Sequence, residues 1–290
     1  MRKRISFEQI EKLNPNWVKS QIEGFIREDA PDGDITTINT IPKDLIAKAN
    51  MIAAEEFIFC GEQFIPFSFS ESCRVDMFIK DGESVSSGQI LAEINGDARS
   101  ILTYERVVLN LTQRLCGITT ETKKYCDLDF AEGFMVMDTR KMTPGLRMFE
   151  KYAVKVGGGW NHRLNLSAAI LIKDNHIQAA GGITKAIEQV RKGNLSNLPI
   201  ELEVDNLRQL REGLNFNLDG FLLDNMDEET VSKAVSMIRN QTNSEEVFIE
   251  TSGGIHYGTI KSYANLGVDG ISMSAITAKA SAVDIKMEII

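Results

Sequence analysis

The second half of the chain alternates between short apolar runs and longer segments whose apolar positions have helical spacing. The short runs predict strands near 134–138, 169–173, 199–204, 219–223, 246–250 and 269–273. The amphipathic segments predict helices near 144–156, 182–192, 206–214, 227–240 and 256–266. Alternating strands and helices indicate a parallel sheet with right-handed crossovers. Six strands are fewer than a complete barrel needs, and from the pattern alone an open doubly wound sheet remains an alternative to an incomplete barrel.

The first half has a different pattern. Residues 16–28 place apolar side chains near helical spacing and predict a helix that ends at Asp29. Strand-like runs between 46 and 97 predict an antiparallel sheet, and residues 101–126 predict a long helix with a candidate break at Gly117. We therefore expect an N-terminal α+β domain over residues 1–115 and an α/β domain over 116–280. The strand-like run at 281–290 is expected to return to the first domain.

Composition is that of an ordinary globular protein, with 43% hydrophobic and 25% charged residues. No apolar run approaches the roughly 18 residues that span a bilayer, and no apolar segment follows the basic start MRKRISFEQI. A cytoplasmic protein that does not bind membranes is expected. Cys60, Cys73, Cys116 and Cys126 form no C-x-x-C pair, which argues against structural zinc and a disulfide framework.

Positive charge is concentrated in residues 138–177, which hold seven Lys/Arg against three acidic residues in a chain of net charge −9. A cationic site in an acidic protein predicts a small anionic ligand and not a nucleic acid. Arg140 and Lys141 follow the apolar run FMVMD, and Lys173 ends the run AAILI. The carboxyl ends of buried strands are where α/β proteins bind ligands, so these three cations are candidate anion-binding residues, together with Arg163.

The remaining cations of this stretch suggest a structural role. Arg147, Lys151 and Lys155 recur every four positions along a predicted helix, which is typical of a solvated face. Thr143 and Pro144 are expected to begin that helix, as its N-cap and its first-turn proline.

Acidic and glycine-rich motifs stand at the ends of later predicted strands. Glu201 and Glu203 point to the same face of a strand, and buried carboxylates there would need Lys141 and Lys173 as partners. A purely structural ion network is the alternative. Residues 252–254, Ser-Gly-Gly, precede a predicted helix, so the glycines would admit phosphate and the helix N-terminus would offer it free N–H groups.

A carrier module was a competing hypothesis for the N-terminal domain. The run KDGESVSSGQILAEING resembles half of a lipoyl or biotinyl carrier hairpin. Such a carrier needs a modifiable lysine on a tight turn, and this run presents none. A glycine-punctuated structural hairpin is therefore the preferred interpretation.

The cationic stretch contains DTRK, PGLR, EKYAV, GGG, NHR and LIKDNHI, which closely resemble the central signature of the quinolinate phosphoribosyltransferase family. EDAPDGDITT, ERVVLN, CGITT, ELEVDN, FLLDN, TSGGI and GVDGISM extend the resemblance over nearly the whole chain. The resemblance implies an incomplete α/β barrel plus an N-terminal α+β sandwich-like domain. It also implies transfer of phosphoribosyl from phosphoribosyl pyrophosphate to quinolinate with decarboxylation, a step of NAD biosynthesis that yields nicotinate mononucleotide.

Carried over by motif, the resemblance also implies roles for single residues. It places quinolinate among Arg106 of the partner subunit, Arg140, His162 and Arg163, and the diphosphate near Lys141 and Lys173. It assigns Glu203 and Asp224 to the ribose hydroxyls or to Mg²⁺, with no organic cofactor. The implied ribose-phosphate contacts are Ser252, Gly253, Gly254, Met273, Ser274 and Ala275, and Thr139 also belongs to the implied substrate site. The implied catalytic residues are Lys141, Lys173, Glu203 and Asp224, in a homodimer or higher oligomer with shared sites.

Three departures leave the specificity open. The family commonly has Thr, Asp and Gly where this chain has Met142, Ala168 and Ser274. A related barrel protein associated with molybdate transport is the first alternative, although the intact run from Lys173 to His176 argues against it. A non-catalytic ligand-binding or carrier module is the second, and the complete set of charged site residues argues against that class.

Overall fold

A computed structural model describes residues 5–241 and 244–290 of the chain. Its α-helices are α1 (Pro15–Asp29), α2 (Ile35–Thr40), α3 (Ala98–Cys126), α4 (Arg147–Val156), α5 (Asp174–Ala180), α6 (Ile183–Gly193), α7 (Leu207–Gly213), α8 (Glu228–Arg239) and α9 (Ile260–Ala264). Its strands are β1 (Ile46–Ala53), β2 (Phe57–Ile58), β3 (Cys73–Met77), β4 (Ser84–Val85), β5 (Ile90–Asp97), β6 (Met135–Met137), β7 (Ile170–Ile172), β8 (Ile200–Val204), β9 (Gly220–Asp224), β10 (Phe248–Ser252), β11 (Gly270–Ser272) and β12 (Ile285–Ile289). Short 3₁₀ helices occupy Ile65–Phe67, Ser244–Glu246 and Ser274–Ile276.

The residues group by their contacts into two units. The antiparallel-sheet unit comprises Ile10–Lys124, Met142–Gly158 and Ile276–Ile290. The parallel-sheet unit comprises residues 5–9, Tyr125–Lys141 and Gly159–Ala275. The domain boundary expected near residue 115 falls inside α3 and stays a prediction.

The antiparallel-sheet unit contains a four-stranded sheet in the order β12-β1-β5-β3. Its central strand β1 pairs antiparallel with β5 on one side and with β12, the last strand of the chain, on the other. The helix expected at residues 16–28 is confirmed as α1. It begins where the side chain of Asn14 accepts hydrogen bonds from the amides of Asn16 and Trp17, which satisfies two otherwise unpaired donors.

The break expected at Gly117 is wrong, because α3 runs unbroken through that position for 29 residues. Glycine is needed there for a different reason. A Cβ atom on Gly117 would lie 1.9 Å from the carbonyl oxygen of Ser281, so only glycine allows the chain to pass this close.

The expected start of α4 at Thr143 and Pro144 is also wrong, since the helix begins at Arg147 after a turn. Thr143 instead donates through its amide and hydroxyl to the carboxylate of Glu150, at 3.1 and 2.7 Å. Glu150 is completely buried and also accepts from the guanidinium of Arg114. Thr143 therefore pairs with a side chain of α4 and not with its backbone amides, as an N-cap would.

The solvated face expected on α4 is wrong at its centre, because Lys151 has no exposed surface. The neighbouring Phe149, Tyr152 and Val154 are also buried, so the helix is enclosed on most of its circumference. Spacing of four shows that cations share a helix face, but it does not show whether that face is turned to water.

The parallel-sheet unit contains all six strands expected from the apolar runs, in the order β6-β11-β10-β9-β8-β7. Each neighbouring pair is parallel. The sheet has two end strands in the described part of the chain, β6 and β7, so six strands form an incomplete barrel layer with helices in its connections. The sequence pattern missed the short helix α5, which follows β7 directly.

Two further observations concern the helices and the cysteines. Among the described residues no helix combines the length and apolar character needed to cross a bilayer. None of the four cysteines, all of which lie in the described part of the chain, forms a disulfide; Cys60 and Cys116 are buried, and burial raises the pKa of both thiols.

Candidate active site

Polar side chains line one edge of the parallel sheet, where the strands end. Because neighbouring strands of this sheet are parallel, their carboxyl ends lie along the same edge. The predicted site residues occupy these ends. Arg140 and Lys141 follow β6, Lys173 follows β7, Glu203 lies in β8, Asp224 ends β9, Ser252 ends β10 and Met273 follows β11.

Arg140 and Arg163 are two arginines whose charges interact in this region. Arg163 is buried and donates from Nη1 to the carbonyl oxygen of Ala169 at 2.9 Å. Burial and the positive charge of Arg140 lower the pKa of Arg163. The Nε atom of Arg140 is buried and has no hydrogen-bond partner in the described part of the chain. Two adjacent cations with an unused buried donor are an arrangement that a planar dianion would complete.

A lysine–carboxylate pair lies at the ends of the adjacent strands β7 and β8. Lys173 hydrogen-bonds to Glu203 through Nζ and Oε2. Burial raises the pKa of Glu203, whereas the bond to Lys173 opposes that rise. The expected pairing of Lys173 with a carboxylate of the ELEVD run is therefore confirmed, and the lysine side chain remains 41% exposed at the sheet edge.

Asp224 is held by two donors from neighbouring residues. Its Oδ1 atom accepts from the hydroxyl of Ser252, which lies opposite it in the strand register. Its Oδ2 atom accepts from the side-chain amide of Asn225 at 2.7 Å. The carboxylate is fixed in orientation, and each oxygen keeps a second lone pair for a ligand.

The Ser252–Gly254 segment does not lie at a helix N-terminus, which corrects the expected source of its phosphate donors. The next helix, α9, begins only at Ile260 and is five residues long. Gly253 and Gly254 have φ angles of +86° and +68°, so the turn itself requires glycine. The second loop is also short. Met273 donates its backbone amide to the carbonyl oxygen of Met137 at 3.0 Å. A 3₁₀ turn over Ser274–Ile276, which contains Ala275, follows directly.

His162 has a different environment from the one its motif suggested. Its Nδ1 atom accepts the amide of Arg163 at 2.8 Å, and its Nε2 atom lies 3.3 Å from Glu250 and 3.7 Å from Glu201. Burial lowers the pKa of His162, but the two carboxylates outweigh it and the pKa is raised. Phe7 stacks on the ring at 4.3 Å. Both ring nitrogens thus face protein groups, and the imidazole supports Arg163 from within the core.

The same cluster corrects the expected partner of Glu201, which lies beside His162 and not beside Lys141. Burial and the charge of Glu250 raise the pKa of Glu201. His162, Glu201 and Glu250 bring ligand atoms within 4.8 Å of one another, as a metal site would. However, Nδ1 accepts a backbone N–H, so the ring proton lies on Nε2 and that nitrogen has no lone pair for a metal ion. Nδ1 as an acceptor therefore does not fit a metal ion bound at Nε2.

Two predicted site residues, Lys141 and Arg106, are exposed to solvent. Lys141 is exposed, and its amide donates to the hydroxyl of Thr139 at 2.9 Å, which shapes the turn after β6. Arg106 is exposed on α3, in the antiparallel-sheet unit. The substrate roles of these residues stay predictions.

Sequence reasoning missed three supporting residues. Asp138 is fully buried and accepts from the His162 amide and from the side chain of Asn161, at 2.8 Å each. Glu250 lies 3.3 Å from Nε2 of His162, and the side-chain amide of Asn225 donates a hydrogen bond to Asp224. Each is adjacent to a recognised motif residue or inside a strand. The signal that could have identified Asp138 was an acid directly after an apolar run, two residues before Arg140.

Family comparison decides which protein class this arrangement belongs to. The sequence model described as "Quinolinate phosphoribosyl transferase, C-terminal domain" matches residues 118–288. The corresponding N-terminal domain matches residues 34–116. The chain belongs to the quinolinate phosphoribosyltransferase family. The resemblance seen in the DTRK-to-LIKDNHI stretch is confirmed.

Members of the family match this chain along almost its full length. A probable nicotinate-nucleotide pyrophosphorylase (carboxylating) of Bacillus subtilis is 36% identical over 280 residues, covering 96% of this chain and 95% of its own. The structure of the nicotinate-nucleotide pyrophosphorylase from Francisella tularensis superposes with a TM-score of 0.84 at 35% identity, covering 98% and 100% of the two chains. NadC from Streptococcus pyogenes gives 0.85 at 36% identity, covering 96% and 97%. The quinolinate phosphoribosyltransferase fold is therefore confirmed for this sequence.

Proposed function

We propose that the protein transfers the phosphoribosyl group of phosphoribosyl pyrophosphate to quinolinate with loss of carbon dioxide, as a step of NAD biosynthesis. The observation that carries the proposal is the pair Arg140 and Arg163, in which the buried Nε atom of Arg140 lacks a hydrogen-bond partner among the described residues. Quinolinate carries two adjacent carboxylates, which match two adjacent guanidinium groups in charge and geometry. His162 supports this pair, because its Nδ1 atom accepts a hydrogen bond from the backbone amide of Arg163.

The reaction balances without an added oxidant or reductant. The ring nitrogen forms a bond to ribose C1, and the bond from C1 to pyrophosphate breaks with its electron pair leaving on pyrophosphate. The bond between ring C2 and its carboxylate then breaks, carbon dioxide leaves, and C2 takes a proton to give nicotinate mononucleotide. Because C1 becomes cation-like, the protein's task is positioning and electrostatic stabilisation.

Lys141 and Lys173 serve the leaving pyrophosphate in this proposal. Both follow strands of the parallel sheet, at the edge where the other charged residues lie. A compact ammonium group stabilises the negative charge that develops on the leaving oxygens. Glu203 holds Lys173 through a direct hydrogen bond, which keeps that ammonium at the sheet edge.

Magnesium is proposed as the metal that accompanies phosphoribosyl pyrophosphate. Glu203 and Asp224 offer carboxylate oxygens with unused lone pairs, which is the ligand chemistry that Mg²⁺ prefers. When bound with the diphosphate, the ion neutralises part of its charge. The same two carboxylates can accept hydrogen bonds from the ribose hydroxyls, and no organic cofactor is required.

A homodimer with shared sites is the proposed assembly. Arg106 of the partner subunit would add a third guanidinium to the quinolinate site. A cytoplasmic location and the absence of nucleic-acid or membrane partners stay predictions. The alternative of a molybdate-associated barrel protein is not favoured, because the relatives that match this chain carry nicotinate-nucleotide pyrophosphorylase names.

We expect the protein to convert quinolinate but not nicotinate. Nicotinate lacks the 2-carboxylate, so one buried guanidinium would be desolvated without a partner, and kcat/KM should fall by about 100-fold or more. The measurement is mononucleotide formation from each acid, alone and in competition, at saturating phosphoribosyl pyrophosphate and Mg²⁺. Arg140→Lys provides a matched variant, since it keeps the charge but loses the planar fork and should raise the KM for quinolinate. Equal turnover of the two acids would contradict the two-carboxylate site.

Ser274→Gly restores the residue common in the family and should have a small effect. One loop hydroxyl contributes about 1 kcal/mol, so the KM for phosphoribosyl pyrophosphate should change by less than about 10-fold. Steady-state kinetics against both substrates would measure this change. A collapse of activity would show that the second phosphate loop depends on Ser274 in this chain.

A further inference from the structure

The turns after β9 and β10 are joined through one residue, Asn225. Its backbone amide nitrogen donates to the carbonyl oxygen of Ser252 at 2.9 Å, which connects the ends of the two strands. Its side-chain amide donates to Asp224 at 2.7 Å. The hydroxyl of Ser252 closes the circuit by donating to the other oxygen of Asp224. One asparagine thus binds both the candidate ribose acid and the first residue of the candidate phosphate loop.

The backbone of Asn225 has the conformation that this double contact needs. Its φ angle is +51°, a left-handed conformation that asparagine tolerates better than most residues with a side chain. Asn225 is exposed to solvent, so burial does not explain why a left-handed asparagine occupies this position. The hydrogen bond from its side chain to Asp224 does.

Gly253 is fitted to Asn225 from the other strand. A Cβ atom on Gly253 would lie 2.2 Å from Oδ1 and 2.9 Å from the backbone nitrogen of Asn225. No side chain can occupy that space while Asn225 keeps its place. The two turns therefore pack against each other at a separation that only glycine permits.

We propose that Asn225 is a positioning residue for the phosphoribosyl pyrophosphate half of the site: it fixes the Asp224 carboxylate and holds the Ser252–Gly254 turn against it. This inference rests on the proposed function and adds to it a residue that acts through Asp224 and the turn. The quinolinate half, built on Arg140 and Arg163, has no contact with Asn225 in the hydrogen bonds described for these residues. Loss of the Asn225 side chain should therefore affect one substrate and not the other.

Asn225→Gly is the variant that tests this directly, because glycine keeps the left-handed backbone and removes only the side chain. The KM for phosphoribosyl pyrophosphate should rise by about 10-fold, the lower end of the range seen when a residue supporting a ligand contact is removed. The KM for quinolinate should be unchanged, and this also reports that the site is folded. Asn215→Gly is the matched control. Asn215 is also an exposed asparagine, and its side-chain amide donates to the carbonyl oxygens of Arg211 and Glu212 in the last turn of α7.

Gly253→Ala provides the second arm. The added methyl group must displace Asn225, so this variant should show the same selective rise in the KM for phosphoribosyl pyrophosphate. Combined with Asn225→Gly, part of the clash is removed, and the double variant should lose less than the product of the two single effects.

The outcomes separate this inference from the proposed function. An inactive wild-type protein would overturn the proposed function itself. An active wild type with a normal KM for phosphoribosyl pyrophosphate in Asn225→Gly would overturn the positioning role alone. Equal rises in both KM values would also overturn it, because they would indicate general loosening of the sheet edge.

Discussion

Lys141→Ala should lower kcat by at least about 100-fold, the usual scale for removing one electrostatic contact to transition-state charge. Lys141 follows β6 at the carboxyl edge of the parallel sheet and is exposed, so its truncation leaves the core unchanged. The thermal midpoint of unfolding should therefore stay at the wild-type value. Steady-state turnover and a melting curve on the same preparation measure both quantities.

Lys233→Ala is a suitable control for that experiment. Lys233 is also exposed, but its ammonium pairs with Glu229 on the surface of α8. Its loss removes the same charge from the protein and should leave kcat near wild type. Near-normal turnover of Lys141→Ala would place Lys141 outside the chemistry, in a structural role.

Mixed dimers of Arg106→Ala and Lys141→Ala chains should recover activity that neither variant has alone. In the proposed shared site, the Arg106→Ala chain keeps its own Lys141 and receives Arg106 from its partner, whereas the other site of that dimer lacks both. Random pairing makes about half of the dimers mixed, each with one intact site, so recovery should approach about a quarter of wild type. The measurement is turnover after the two proteins are unfolded and reassembled together.

Mass spectrometry of the intact dimers is the control for that recovery. Each variant reassembled alone should stay nearly inactive. If mixed dimers are present and turnover does not recover, Arg106 and Lys141 act in the site of the same chain, or Arg106 lies outside the site.

The sheet edge could be predicted from the sequence because its signals are local. Short apolar runs defined six strands, and charged residues directly after them, such as Arg140 and Lys173, had to lie at the carboxyl ends. The pairing of Lys173 with Glu203 followed from the same reasoning, since a buried carboxylate on an adjacent strand needs a cation.

Features that depend on tertiary packing were predicted poorly. Lys151 has the spacing of a solvated face but is buried, and Thr143 binds the buried Glu150 where an N-cap was expected. Gly117 looked like a helix break, yet it is glycine because another segment passes close to it. Sequence spacing shows which residues share a face, whereas what covers that face depends on chain segments distant in sequence.

His162 shows the limit of carrying a role over from a motif. The NHR run places His162 directly before Arg163, and the backbone amide of Arg163 donates to Nδ1 of His162; a substrate contact of His162 stays a prediction. The run could not show that Glu201 and Glu250 surround its other nitrogen, because they come from two other strands.

Stoichiometry of the complete reaction tests the central claim most directly. The protein is incubated with phosphoribosyl pyrophosphate, Mg²⁺ and quinolinate carrying a labelled 2-carboxylate, and three products are quantified. We expect labelled carbon dioxide, pyrophosphate and nicotinate mononucleotide in equal amounts, each dependent on phosphoribosyl pyrophosphate. Binding of both substrates without these products, or a mononucleotide that retains the label, would contradict it.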